Sequence, residues 1–228
     1  MPEIVVIIPA LNEEQSIGDV LADIPKNIAS EVVVVDNNSC DDTAEMARNA
    51  GATVVHEPRQ GYGFACLKGI EYVQSRQQKA DIVVFLDADY SDYPEEMASL
   101  IQPIVQQDYD LVIGSRLLGK LQPGAMSPYQ VLGNRLATML IRLLYKAHYT
   151  DLGPFRAIKF DKLLKLGMKE KTYGWTAEMQ VKAAKQQLRY CEVPVTYRPR
   201  LGTSKISGTA KGALLASCGI MATILKNI

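Results

Sequence analysis

Two kinds of hydrophobic segment alternate along the chain. The first kind is a short run of β-branched and other apolar residues without polar alternation, which is typical of parallel strands covered on both faces. Such runs lie at Glu3–Pro9, Glu31–Val35, Thr53–His56, Val83–Leu86 and Asp110–Gly114. Polar residues follow most of these runs, so we expect polar side chains to collect at the carboxyl edge of a sheet.

Between these runs, apolar residues recur every three or four positions, which indicates helices. Helical segments are predicted from Asn12 to Ile24 and at Ala44–Ala50, Phe64–Val73 and Met97–Val105. The alternation of strand and helix predicts an α/β fold, in which helices flank a mostly parallel central sheet within a single domain. The first turn lacks G-x-G-x-x-G, so the usual dinucleotide fingerprint is absent.

Two further helices are predicted in the second half of the chain. Pro128–Tyr149 combines a stripe of Leu and Met with Arg135, Arg142 and Lys146, and contains no acidic residue. It fits either a core helix with a solvated basic face or a helix that touches a membrane interface. Ala213–Leu225 is uncharged but shorter than the roughly 20 residues of a membrane-spanning helix. It can pack on the domain, lie in a dimer interface, or lie in a membrane interface.

Charge is distributed very unequally, although the net charge is zero. Residues 1–126 contain 8 Lys and Arg against 20 Asp and Glu, whereas residues 127–228 contain 17 against 5. An acidic half can hold a cation, and a basic half can hold phosphates or lie against an anionic membrane. We expect no nucleic acid among the partners.

The cysteine and histidine content argues against a zinc site or a disulfide framework. The chain has four widely spaced Cys without a C-x-x-C pair, and only two His. Free thiols fit a reducing compartment. The N-terminus has no basic segment, and its apolar run is too short for a signal peptide. We therefore expect a cytoplasmic protein.

Three carboxylates follow the fourth apolar run in the pattern D-x-D-x-x-D. Asp87, Asp89 and Asp92 would lie at the carboxyl edge of the sheet, where open α/β folds bind ligands. Mg²⁺ commonly takes one or two carboxylates together with substrate phosphates. The alternative is a helix start, because Ser91 and Asp92 are good N-cap residues and Pro94 suits a first turn.

Candidate phosphate-binding residues occur in two places. Arg116 follows a predicted strand, where its guanidinium can bind a phosphate through two hydrogen bonds. A second basic cluster surrounds Gly202 and contains Arg198, Arg200, Ser204 and Lys205. Such a cluster can hold a phosphate or diphosphate by charge-assisted hydrogen bonds. Otherwise it is a solvated basic loop.

Three motifs in the first half resemble the successive signatures of family 2 glycosyltransferases of the GT-A fold. They are Ile8–Glu14 (IPALNEE), Val34–Thr43 (VVDNNSCDDT) and Asp87–Asp89 (DAD). Four later motifs are similar to the dolichyl-phosphate or polyprenyl-phosphate mannose and glucose synthase branch, namely Gly114–Arg116, Asp151–Arg156, Trp175–Met179 and Tyr197–Lys205. We expect a GT-A domain over residues 1–205, with a nucleotide-binding half (1–115) and an acceptor-binding half (116–205), followed by a C-terminal helix (206–228).

The resemblance implies a role for each matching position. Asp36 would read the base, Asp89 would bind the metal, and Asp87 would hold the sugar or ribose side. The whole nucleotide-sugar site would comprise Pro9, Leu11, Glu13, Asp36, Asn38, Asp87, Ala88 and Asp89. The synthase branch usually places an amide side chain two residues after the second Asp as a further metal ligand. Ser91 stands there in this chain, followed by Asp92, and either residue can replace it.

The activity implied by the resemblance is a metal-dependent, inverting transfer of a hexose from a UDP- or GDP-linked donor to a polyprenyl phosphate. The metal would be Mg²⁺ or Mn²⁺, and the protein would lie at the inner face of a membrane, as a monomer or a homo-oligomer. The catalytic residues would be Asp87, Asp89, Arg116, Asp151, Arg156 and Glu178. The acceptor phosphate would meet Arg116, Arg156, Arg198, Arg200, Ser204 and Lys205.

Two alternatives remain open from the sequence. A phosphate acceptor is already ionised and requires no base. A saccharide or other hydroxyl acceptor requires one, and Asp151 or Glu178 would then be the candidates. The second alternative is a non-catalytic nucleotide-sugar-binding or membrane-scaffold protein that keeps the fold.

Overall fold

The computed structural model describes residues 2–202 and 210–228, with the side chains of the last helix described from residue 216. Seven strands form one sheet in the order β3-β2-β1-β4-β6-β5-β7. The strands are β1 (Ile4–Ala10), β2 (Glu31–Asp36), β3 (Thr53–His56), β4 (Ile82–Phe85), β5 (Leu111–Ser115), β6 (Arg156–Lys159) and β7 (Tyr190–Pro194).

Helices cover both faces of this sheet, and the core is split between the two faces. They are α1 (Ile17–Asp23), α2 (Thr43–Asn49), α3 (Tyr62–Ser75), α4 (Met97–Gln107), α5 (Pro128–Tyr145), α6 (Phe160–Leu166), α7 (Trp175–Lys185) and α8 (Ala210–Lys226). A 3₁₀ turn, Pro94–Glu96, leads directly into α4.

The first four strands of the chain form a parallel half-sheet. In this half β1 lies between β2 and β4, with Ile7 paired to Val33 on one side and to Phe85 on the other. Every residue of β1 is buried, which explains why its sequence shows no polar alternation. The carboxyl ends of β1, β2 and β4 therefore meet at one edge. The predicted α/β fold, with a mostly parallel sheet and flanking helices, is confirmed.

The sheet is completed by an antiparallel strand that the sequence pattern did not reveal. Strand β6 lies between β4 and β5 and runs antiparallel to both, with Arg156 opposite Phe85 and Ile113. The resemblance to the synthase branch implies an acceptor loop at this stretch. The four residues of β6 contain two cations and only two apolar positions, so the pattern alone does not indicate a strand. Strand β7 then pairs parallel with β5.

Helix α5 begins and ends at clear local signals. Ser127 and Gln130 form a capping box at its start, which satisfies two free backbone donors. Lys146 adopts a left-handed conformation, with φ 57°, just after its end, so the helix stops four residues before the predicted Tyr149. Tyr145 then donates a 2.6 Å hydrogen bond to the carbonyl of Ile224 and joins α5 to α8. No helix in the described ranges is long and apolar enough to span a membrane.

Candidate functional site

A cleft opens at the carboxyl edge of the parallel half-sheet and divides into two connected cavities. The first has a volume of about 430 Å³. Its lining includes Pro9, Leu11, Glu13, Asp87, Ala88, Asp89, Tyr173 and Arg200. The second, of about 280 Å³, shares Asp87, Asp89, Tyr173 and Arg200 with the first and adds Arg116. The structure thus brings the predicted donor-site residues at the ends of β1 and β4 to one place.

Asp87 lies at the junction of the two cavities and has a raised pKa. Tyr62, in the first turn of α3, donates a 3.0 Å hydrogen bond to its Oδ1. Burial, followed by the negative charge of Asp89, raises the pKa of Asp87 to about 7. Sequence reasoning missed Tyr62, because only the packing of α3 on β1 and β2 brings the hydroxyl to this carboxylate.

Asp89 is held in a fixed orientation by its own loop. The backbone N–H and the hydroxyl of Ser91 donate to its Oδ1, at 3.0 and 2.5 Å. Its other oxygen lies 3.3 Å from a guanidinium nitrogen of Arg200. Ser91 is itself buried, so the structure places it as a support for Asp89. We had expected it to be a metal ligand.

Asp92 is a buried carboxylate for which the described part of the chain supplies no hydrogen-bond partner. Both of its oxygens are unpaired among the described residues. Burial and the charges of Asp87 and Asp89 raise its pKa well above the ordinary range. Such a group is costly to leave unpaired in an interior, and a nearby cation would relieve that cost.

The described ranges contain no group of three His, Cys, Asp or Glu side chains arranged to hold a metal ion by themselves. A site of one or two carboxylates fits Mg²⁺ or Mn²⁺ only when other oxygen ligands, such as the phosphates of a substrate, complete the coordination. The carboxylate of Asp89, which lines both cavities, fits that kind of site. Asp92 lines neither cavity, but both of its oxygens are unpaired among the described residues.

Arg116 is fixed at the wall of the second cavity by Asp151. Asp151 is fully buried and accepts hydrogen bonds from the Arg116 backbone N–H, Nε and Nη2, at 2.8, 2.8 and 2.7 Å. Burial alone would lower the pKa of the Arg116 guanidinium, but its interactions with Asp151 hold the pKa above the ordinary value. The arrangement makes Asp151 the anchor of Arg116 and occupies both carboxylate oxygens.

Two other residues predicted to be catalytic lie inside the protein. Arg156 is fully buried and donates to the carbonyls of Leu152, Gly153 and Thr176. Burial lowers its pKa to about 10. It lines neither cavity, because its strand position directs it beneath the 152–154 loop. The structure therefore does not bring Arg156 to the predicted acceptor phosphate.

Glu178 is also committed to the framework. Its carboxylate accepts from the backbone N–H groups of Lys169 and Glu170, at 2.8 to 3.1 Å. Lys182, one turn further along α7, forms a 2.8 Å ion pair with it. Glu178 lines neither cavity, so the structure does not place it as a general base.

The two arginines of the last basic cluster have different positions. Arg198 lies over the rings of Tyr90 and Tyr93, and donates to the backbone carbonyls of Tyr90 and Asp92. It therefore holds the carboxylate loop in shape. Arg200 lines both cavities and is paired with Glu13 and Asp89, while its buried Nε has no partner among the described residues. Ser204 and Lys205 lie outside the described residues.

The predicted base-reading residues lie beside the first cavity. Asp36, at the end of β2, accepts from the Ser39 N–H, and its Oδ2 lies 3.1 Å from His56 Nδ1. Asn38 is exposed, with φ 65°. Asn37 between them was not predicted, yet it donates to the carbonyls of Glu57 and Arg59 and accepts from Gly61. It ties β2 to the following loop.

The glycine turn before α3 approaches another loop of the chain. A Cβ on Gly63 would lie 2.2 Å from the carbonyl oxygen of Glu170, and one on Gly61 would lie 2.5 Å from that of Lys171. In the structure, the lack of a side chain lets the 170–173 loop close over the first cavity, where Tyr173 lines the wall.

Comparison with known sequences identifies relatives over most of the chain. The model of the family "Glycosyl transferase family 2" matches residues 5–167. An uncharacterized glycosyltransferase of Mycobacterium tuberculosis is 35% identical over 215 residues, which cover 93% of this chain and 94% of that protein. A dolichyl-phosphate hexose transferase of Haloferax volcanii is 33% identical over 218 residues, which cover 93% of this chain and 90% of that protein.

Comparison with solved structures supports the same fold. Glucosyl-3-phosphoglycerate synthase of Mycobacterium tuberculosis, solved in complex with Mn²⁺, uridine diphosphate and glucosyl-3-phosphoglycerate, superposes with a TM-score of 0.78 at 23% identity. The match covers 99% of this chain and 80% of that one. At this level of identity the likeness describes the fold alone.

Proposed function

The chain belongs to glycosyltransferase family 2 and is a glycosyltransferase; from that premise, we propose that it transfers a hexose from a UDP- or GDP-linked donor to a polyprenyl phosphate at the cytoplasmic face of a membrane. The observation that carries the proposal is that two aspartates and two arginines line the second cavity, three of them where it joins the first. Asp87 and Asp89 suit the donor side, and Arg116 and Arg200 suit an anionic acceptor.

The first cavity is the proposed donor site. Pro9, Leu11 and Glu13 would line the base and ribose, and Asp36 would accept a hydrogen bond from an N–H of uracil or guanine. Asn38 is exposed close to Asp36 and would belong to the same base-binding end of the donor site. Asp87 would hold the sugar or ribose side. The Tyr62 hydroxyl fixes the orientation of Asp87, which keeps the sugar in a defined pose.

Asp89, with Asp92, would hold the divalent metal. The unpaired oxygens of Asp92 support this assignment, and Ser91 keeps Asp89 in place. When bound, a divalent metal neutralises the charge that develops on a departing diphosphate. Arg200 already neighbours Asp89, so an acceptor phosphate bound by Arg200 would lie close to the metal.

The second cavity is the proposed acceptor site. Arg116 is rigidly held by Asp151 and would position the acceptor phosphate for in-line attack on the anomeric carbon, which inverts its configuration. The phosphate oxygen is anionic at neutral pH, so no proton needs to be removed. A hydroxyl acceptor would need a general base. The two carboxylates considered for that role, Asp151 and Glu178, are both bound to neighbouring backbone and side-chain groups. The dolichyl-phosphate hexose transferase among the relatives supports a lipid-phosphate acceptor.

A donor panel tests the proposal. Purified protein is incubated with UDP- and GDP-sugars and with Mg²⁺ or Mn²⁺, in the presence or absence of a short-chain polyprenyl phosphate in detergent, and the released nucleoside diphosphate is measured. We expect release that requires both metal and lipid. Asp89→Ala should abolish it, whereas the matched variant Glu95→Ala, on an exposed carboxylate of the same loop, should retain it.

The remaining outcomes separate the alternatives. If the protein binds a donor but lipid does not stimulate release of the nucleoside diphosphate, the acceptor is a hydroxyl group and not a lipid phosphate. A panel of saccharides would then identify that acceptor. Absence of donor binding under all conditions would overturn the proposal and favour a scaffold role.

A further inference from the structure

Helix α5 presents a continuous apolar stripe to solvent. Its side chains recur at intervals of three and four residues, which places them on one helical face. They are Tyr129, Leu132, Leu136, Met139 and Leu143, with exposed fractions of 71, 56, 44, 61 and 76%. At 1.5 Å per residue the stripe is roughly 20 Å long. Single exposed Leu residues are ordinary, but a continuous stripe of this length indicates an interaction surface.

The opposite face of α5 fixes this stripe in place. Ala137, Thr138 and Ile141 are buried against the domain. Asn134 accepts from the Leu152 N–H and donates to the Thr150 carbonyl, at 2.8 and 3.0 Å. The helix therefore cannot rotate to bury its stripe, and no segment within 2–202 or side chain from 216 onward covers it.

The charges beside the stripe indicate what that partner is. Arg135, Arg142 and Lys146 are exposed and recur at helical spacing, whereas residues 128–149 contain no Asp or Glu. An anionic lipid surface complements this combination of apolar stripe and basic row. A second copy of the chain would bring the same cations on α5 and no carboxylate to pair with them.

The stripe is also continuous with the second cavity. Tyr129, at its N-terminal end, lines that cavity together with Gln130 and Gly133, and Arg116 and Arg200 lie further inside. A ligand whose phosphate meets the two arginines therefore has a route to the surface beside the stripe.

We propose that the exposed face of α5, made by the stripe from Tyr129 to Leu143 and the basic row Arg135, Arg142 and Lys146, docks the protein on an anionic bilayer. The helix would lie in the interfacial plane with the apolar stripe among the acyl chains. This proposal rests on the proposed function in one respect, because docking in this orientation presents the mouth of the second cavity to a lipid phosphate in the same leaflet.

Vesicle co-sedimentation tests the surface directly. The probe is vesicles of phosphatidylcholine with about 30 mol% phosphatidylglycerol, at low salt and at about 0.5 M NaCl. Leu143→Glu should lower the partition coefficient about tenfold. The matched control Val105→Glu changes an exposed side chain on α4 and should leave binding unchanged.

The basic row has its own pair of variants. Arg135→Gln combined with Arg142→Gln should weaken vesicle binding about fivefold for each cation removed. Arg48→Gln combined with Lys79→Gln removes two exposed cations elsewhere and should change it far less. High salt should reproduce most of the loss caused by the first pair.

Transfer to a short polyprenyl phosphate in detergent separates this proposal from the proposed function. Leu143→Glu should retain that transfer while losing vesicle binding. If wild-type protein does not bind anionic vesicles, the docking proposal is wrong even if transfer occurs. If the protein is a dimer that Leu143→Glu dissociates, the face belongs to an interface with a second copy. Vesicle binding through α5 without transfer would instead count against the proposed acceptor alone.

Discussion

Motif residues behave differently in the acidic half of the chain, residues 1–126, and in the basic half, residues 127–228. In the acidic half, Glu13, Asp87 and Asp89 line the cleft directly. In the basic half, Arg200 also lines the cleft, but Arg156 and Glu178 turn inward and bind backbone groups. The difference shows that a family motif can mark either residues that line the ligand cleft or residues that stabilise the loops around it.

The physical reason is the kind of chain on which each motif lies. In the acidic half the motifs follow parallel strands, so their side chains emerge at the open edge of the sheet. In the basic half they lie beside irregular loops such as 146–155 and 167–174, whose backbone donors and acceptors need partners. Charged side chains supply those partners, and the motif is then required for structure.

Asp89 gives the sharpest test of this contrast and the largest expected effect. Asp89→Asn should lower kcat/KM by about a thousandfold, because in the proposed mechanism the removed charge would stabilise the transition state and would not support the fold. Circular dichroism and thermal unfolding should show a native protein. Loss of activity together with a large fall in Tm would mean that Asp89, in the acidic half, also has a structural role.

Arg156→Met should act on stability. The side chain donates to three buried carbonyls, and leaving them unpaired should lower the free energy of unfolding by about 3 kcal/mol. Urea denaturation measures the change, with Lys165→Met on an exposed lysine as the control. A stable Arg156→Met protein that has lost only acceptor-dependent turnover would place this arginine at the phosphate after all.

Glu178→Gln tests the same distinction with a smaller change. The amide keeps the shape but loses the charge that meets Lys182 and two backbone N–H groups. We expect a loss of about 2 kcal/mol in the free energy of unfolding. Turnover of the folded fraction should persist well below the melting temperature. Glu71→Gln, on an exposed carboxylate, is the control. An unchanged Tm with abolished turnover would restore Glu178 as a base.

The smallest predicted effect concerns the rim of the cleft, where Glu57 and Arg59 form a pair. The hydrogen bond from Arg59 lowers the pKa of Glu57 to about 2 from its ordinary value of 4.5. The stabilisation is therefore complete above about pH 4.5 and disappears as the pH falls toward 2. Because the Arg59 side chain is 66% exposed, solvent screens the pair, and Arg59→Gln should cause only a small loss of stability at pH 7.

Urea denaturation of wild type and Arg59→Gln at a series of pH values checks this. The difference between the two proteins should shrink between pH 4.5 and 2. A difference that stays constant across this range would show that the pair contributes through packing, as a neutral contact would.

The sequence was most informative where pattern and position coincide. The runs of Val and Ile predicted β1, β2 and β4 nearly to the residue, and the side chains after β1 and β4 lie at the cleft. What it did not reveal depends on tertiary packing. Strand β6 has only four residues, Arg156 among them, and becomes a strand because β4 and β5 offer it two edges. The Tyr62–Asp87 contact likewise joins residues 25 positions apart.

The place of β6 has a consequence for the order in which the polypeptide can acquire its structure. Strands β4 and β5 are not neighbours in the sheet. Each pairs with β6, which is translated after α5. A nascent chain that has just passed Ser115 carries all three donor-side motifs, yet leaves the edges of both strands open to other chains. We therefore expect β4 and β5 to be joined only after Lys159 has left the ribosome, and until then their open edges can pair with other chains and aggregate.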